Sequence, residues 1–187
     1  MAKNFVISKE KTLNSALFIL QRLGGAADFH KLFKIMYFAD QKHLAKYGLP
    51  ISGDYYKAMK DGPVPSALYG IFQYLREGNT WYVIAPHCHD LFEIHGRYTA
   101  VAKQQPDLEE LSQSNINCLI ESIEENKNLG FGALKEKSHK AAWDAAQNDD
   151  MDIVDIALEG GASEEMVKYI ETNLENQFIF TNYAKSW

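Results

Sequence analysis

Asp28-Phe29-His30-Lys31-Leu32-Phe33-Lys34-Ile35-Met36-Tyr37-Phe38-Ala39-Asp40 runs on through His43, Leu44 and Tyr47 to Gly48, and then changes character. Phe29, Leu32, Phe33, Met36, Tyr37, Leu44 and Tyr47 recur at helical spacing, with Asp28 placed to cap the start and Gly48 the end. Lys31, Lys34, Asp40, Lys42 and Lys46 fall between them, which predicts an amphipathic helix with a basic solvent side. Pro50-Ile51-Ser52-Gly53-Asp54 is turn chemistry. Tyr55-Tyr56-Lys57-Ala58-Met59 reads as a short strand, and Pro63 and Pro65 keep the residues before them out of the helical region.

Outward from this stretch the pattern is mostly helical. On the N-terminal side, Ser8 precedes Leu13, Ala16, Leu17, Leu20 and Leu23, and Gly24-Gly25 ends that run. On the other side, Ser66 is placed to cap a helix through Leu68, Ile71, Phe72 and Leu75 to Gly78. Thr80–Ala85 reads as a strand, and Leu91–Ile94 and Tyr98–Ala102 flank His95-Gly96-Arg97 as a hairpin. Pro106-Asp107 opens a short helical turn. Ser112 or Ser114 caps a helix carrying Ile116, Leu119, Ile120 and Ile123, and Ser163 precedes a last helix with Met166, Tyr169, Ile170 and Leu174 as its stripe. The reading is an α+β, mainly helical single domain over residues 1–187 with a small antiparallel β-sheet drawn from 54–59, 80–85, 91–95 and 97–102, and with 176–187 as a loose tail. Leu17, Leu20, Leu32, Phe33, Met36, Leu68, Ile71, Phe72, Leu119 and Ile123 are the expected core.

Composition bounds the function. The 187 residues are 46% apolar and 24% charged, the profile of an ordinary globular domain rather than a disordered chain. No apolar run approaches the roughly 20 residues a bilayer needs. Met1-Ala2-Lys3-Asn4 opens no apolar signal segment, and two cysteines, Cys88 and Cys118, are too few for a disulfide framework; both predict a cytoplasmic protein. The net charge of −6 divides unevenly, with ten basic against four acidic residues over 1–60 and nine against 21 over 61–187. That overall acidity argues against nucleic acid as a partner.

Catalytic patterns are weak. His87, Cys88, His89 and Asp90 are competent metal ligands, but neighbours in an extended chain point to opposite faces, and the other half of a site is missing. Ser138-His139 is a sequence pair rather than a triad, and on a helix His139 and Trp143 would share a face, with Trp143 buried and His139 hydrogen-bonded. Gly130-Phe131-Gly132 lacks the flanks of a phosphate loop, and Asp149, Asp150 and Asp152 read as a solvated loop. No enzyme, metal or cofactor follows. The segment that stands out is 47–65, where Tyr47, Asp54, Tyr55, Tyr56, Lys60 and Asp61 sit on bends set by glycine and proline, a composition suited to a rigid protein-binding surface. Alternate residues of 54–59 must point inward to the core.

Gly53-Asp54-x-Tyr56-x-Ala58, followed by Gly62-Pro63-Val64-Pro65-Ser66-x-Leu68-Tyr69, resembles the Panacea domain of phage-associated SocA/GepA-like proteins. Residues 30–48 before it agree with that family, as do Phe131-Gly132-x-Leu134 and Ser138-His139-x-x-x-Trp143 after it, so the likeness spans about 10–175. The resemblance implies an antitoxin whose partner is a cognate protein toxin, neutralised by direct contact or by delivery to a AAA+ protease, with no catalytic residues. Two alternatives remain at this point. One is a DNA-binding regulator using the basic helix 28–47; the other is a metal-dependent hydrolase built on His87, His89, Asp90 and His139. The sequence leaves the oligomeric state open.

Overall fold

A computed structural model describes residues 4–78 and 87–184. The chain orders its elements as α1 (Lys9–Arg22), β1 (Ala26–Asp28), α2 (Phe29–Tyr47), β2 (Tyr56–Met59), β3 (Gly62–Pro65), α3 (Ser66–Glu77), α4 (Cys88–Leu91), β4 (Phe92–His95), β5 (Thr99–Ala102), α5 (Gln113–Asn126), α6 (Phe131–Ser138), α7 (Ala141–Ala146), α8 (Ile153–Glu159) and α9 (Glu164–Ala184). It is a mainly helical α+β fold with small antiparallel sheets, and all ten expected core residues are buried.

α2 is the axis of the molecule. It packs against α1, α5, α6, α8, α9 and the hairpin of β2 and β3. The expected basic solvent face is therefore corrected. Lys34 and Asp40 keep 1% and 0% of their surface, and Lys42 and Lys46 reach across to Glu125 and Glu121 of α5. A helix with apolar residues on most sides is largely buried, and the polar groups buried with it must then find partners inside. Lys31 finds one at the end of α5, where its Nζ donates to the Lys127 carbonyl at 2.9 Å and to that of Leu129; a cation suits the negative pole of a helix. Ser122 of α5 donates to the Ile35 carbonyl at 2.7 Å, tying the two helices together.

Among the described residues the strands form two sheets rather than one. β4 and β5 make the expected hairpin, but β5 also pairs with β1, a strand the sequence reading missed. β2 pairs with β3, in the register Tyr56 to Pro65 and Met59 to Gly62, and its other edge makes a bridge to Asp150, so the proline-rich stretch is a strand partner and not merely a turn. Short edge strands tolerate proline because their outer N–H groups have no ladder to serve. The expected strand at 80–85 lies outside the described residues. Ser8 and Asp28 cap their helices as expected, Ser112 is the one of the two candidates that caps α5, and Ser163 caps α9. Ser66 does not; it is the first residue of α3, whose N-terminus is served by a more distant side chain. Among the described residues no helix is long and apolar enough to cross a membrane.

Candidate functional site

Segment 47–65 is held from below by two buried carboxylates. Asp40 on α2 accepts from the Ile51 N–H and the Tyr56 hydroxyl, both at 2.6 Å. Asp54 accepts from the N–H groups of Ala67 at 2.9 Å and Leu68 at 3.0 Å, and so caps α3 across an intervening hairpin. Burial pushes both acids up to about 6, although their hydrogen bonds pull the other way. Tyr56 completes the support, its ring edge-on to Tyr37 at 5.2 Å. At Gly53, φ is +76° and the Val6 carbonyl passes where a Cβ would stand, which locks the bend against the N-terminal segment.

The six residues singled out on this segment therefore separate. Asp54 and Tyr56 are 2% and 3% exposed and face the core, so they brace the segment instead of presenting on it. Tyr55 is half-buried. Tyr47 is exposed beside His43, away from the hairpin in sequence but on the same segment. Lys60 and Asp61 form the exposed two-residue tip between β2 and β3.

That tip is fastened on three sides. Lys135 of α6 pairs with Asp61 at 2.8 Å and holds its carboxyl below the usual range. His30 Nε2 meets the Asp61 carbonyl at 3.1 Å, and the Trp143 indole donates to the Met59 carbonyl at 3.0 Å. Trp143, expected to be largely buried, is partly buried and packs against the core. Its ring stacks on His139 at 3.8 Å, but across the break between α6 and α7 and not along one helix. His139 also departs from expectation, since its Nε2 is buried without a hydrogen-bond partner. Burial and the nearby Lys135 and Lys34 favour its neutral form.

Beside the tip opens a cleft of about 600 Å³. Its walls include Phe29, Phe33, Tyr69, Tyr98 and Phe131, with His30, Asp28 and Asp61 at exposed or half-exposed positions around it. Lys34 also lines it, and Lys34 Nζ donates to the Pro63 carbonyl at 2.9 Å. Burial pushes this ammonium down to about 7, and the neighbouring Lys135 adds to that. Gly62, at φ +100°, lets the hairpin settle on Lys34 and Ser138; a Cβ there would overlap both side chains. Sequence reasoning missed this cleft. Its signal was faint: a lysine flanked by Phe33 and Ile35 on a helix too apolar to have a solvent face.

The metal alternative can be placed as well. His87 lies 3.9 Å from Glu10, His89 packs on Tyr74, and Cys88 is buried. Among the described residues no group of three or more His, Cys, Asp or Glu side chains comes together to hold a metal.

Segment 47–65 lies within residues 32–144, more than half of the chain, which match the family described as antitoxin SocA-like, Panacea domain. The chain belongs to that family. No curated protein and no solved structure matches it. In this SocA-like chain the conspicuous Gly-Asp-x-Tyr-x-Ala and Gly-Pro-Val-Pro stretches, at 53–58 and 62–65, are architectural. Asp54 caps α3, Tyr56 closes on Asp40, and Gly62 admits Lys34. A Panacea-type antitoxin fold points to a protein partner and away from catalysis.

Proposed function

We propose that this protein neutralises a cognate toxin by direct protein–protein contact, and that the tip Lys60-Asp61 with the adjoining cleft is part of the contact surface. The observation that supports this most is the bracing of the tip by Lys135, His30 and Trp143, which leaves two charged side chains exposed on a backbone already ordered. A surface ordered before binding loses little entropy when a partner docks. Occlusion of the toxin and delivery to a AAA+ protease both begin with such a contact.

The test is co-expression with the toxin encoded beside it. Lys60→Glu changes an exposed charge and should shift stability by no more than about 0.5 kcal/mol. Asp61→Lys also replaces the pair with Lys135 by a like-charge contact and should cost about 1 kcal/mol. Loss of growth rescue by Lys60→Glu with an unchanged melting temperature, and by Asp61→Lys with the protein still folded, is the expected result. Full rescue by both variants would remove the tip from the contact surface.

A further inference from the structure

We propose that the cleft beside the hairpin tip is a receptor for a single carboxylate carried on an aromatic or bulky apolar stem, with Lys34 as the counter-ion, and that the occupant is a segment of the toxin. The choice of occupant rests on the antitoxin reading; the chemistry of the site does not.

The argument starts from Lys34. An ammonium has three N–H donors, and this one, 1% exposed, has a single acceptor among the described residues, the Pro63 carbonyl. The acid that acts on it, Asp61, is exposed and already paired with Lys135. Burial has cost Lys34 its hydration without returning a full set of partners, and a lysine in that state gains more than a surface lysine from an incoming anion. Its one structural duty, donation to the Pro63 carbonyl, uses a single N–H and leaves two for an incoming anion.

The walls decide what carries the anion. Phe29 and Phe33 are buried, while Tyr98 and Phe131 are 51% and 54% exposed, so the aromatic lining runs from the interior to the surface. The volume of about 600 Å³ lies in the range of sites that enclose a side chain or a small ligand. Apolar walls also lower the local dielectric and strengthen an ion pair formed among them. Asp28 and Asp61 stand beside Lys60 at the lining, so apart from Lys34 the cleft carries no surplus positive charge to hold a dianion such as a phosphate monoester, and a monoanionic carboxylate is the better fit. The cleft adjoins the tip assigned above to the toxin, so one partner segment can reach both.

The test uses the full chain and two probes of equal shape, 3-phenylpropionate and 3-phenylpropionamide, followed through the backbone amides of Gly62, Val64 and Phe131 by NMR at pH 6.5. The acid should bind about tenfold tighter than the amide, and Lys34→Met should bring the two within about twofold of each other. Phe131→Ala, at an exposed position, should weaken both probes together. Equal binding of acid and amide to the wild type, or no movement of these amides with either, overturns the site whatever the Lys34 variant does. In co-expression, loss of rescue by Lys34→Met and Phe131→Ala with folded protein supports the toxin as occupant, and full rescue by both overturns it. Failure of the wild type itself to rescue growth would strike the antitoxin reading, while the contrast between acid and amide would still judge the cleft.

Discussion

Asp54→Ala removes the side chain that caps α3 from twelve residues away. Ala67 and Leu68, whose N–H groups it serves, are 2% and 0% exposed, so water cannot replace the carboxylate without opening the hairpin. Each stranded donor costs about 1–3 kcal/mol. Part of that is offset, because burial has raised Asp54 to about 6, so its anion is itself held at a cost. The net expectation is a loss of about 2–4 kcal/mol, above the roughly 1 kcal/mol typical of exposed helix caps. Asp54→Asn keeps one oxygen acceptor and turns an NH2 toward the second donor, so about half of that loss should remain. The two variants also differ from wild type in pH dependence. Between pH 3.8 and about 6 the folded wild type holds the Asp54 proton that the unfolded chain has released. Its extra stability is therefore full below pH 3.8 and lost as the pH rises through 6, at about 1.4 kcal/mol per unit. Asparagine does not titrate, so the deficit of Asp54→Asn grows as the pH is lowered from 7 to 4. Urea denaturation of the three proteins at pH 4, 5, 6 and 7 measures both effects. An Asp54→Ala protein within about 0.5 kcal/mol of wild type, or a deficit of Asp54→Asn that shrinks toward acid, would refute the reasoning.

Tyr56→Phe deletes the hydroxyl donor to the buried Asp40 and should cost about 1–3 kcal/mol in urea denaturation, with the apparent ionisation of Asp40, already raised to about 6, moving higher still in NMR titration. Gly62→Ala must adopt φ +100° and push against Lys34 and Ser138; it should lose about 2–5 kcal/mol, a fall in melting temperature of roughly 5–15 °C, whereas the same change at Gly130, where a Cβ meets nothing within 4 Å, should fall within about 0.5 kcal/mol of wild type.

Local chemistry was legible wherever one residue and its near neighbours decide the outcome. The capping serines and Asp28, the left-handed glycines at 48 and 78, the β4–β5 hairpin and all ten expected core positions follow from spacing and backbone preference alone. So did the family, because Gly53–Ala58 and Gly62–Pro65 carry a specific pattern. What those residues do was not legible. Asp54 looks like a surface turn residue until α3 is folded back over it, and Lys34 looks like part of a basic face until α5, α6 and the hairpin close around α2. Periodicity ranks the faces of one helix by how apolar they are, but whether its polar positions meet water depends on how many other elements surround it. In α2 most faces are covered, so Lys34 and Asp40, which the sequence places in solvent, become buried charges beneath the hairpin and beside its cleft.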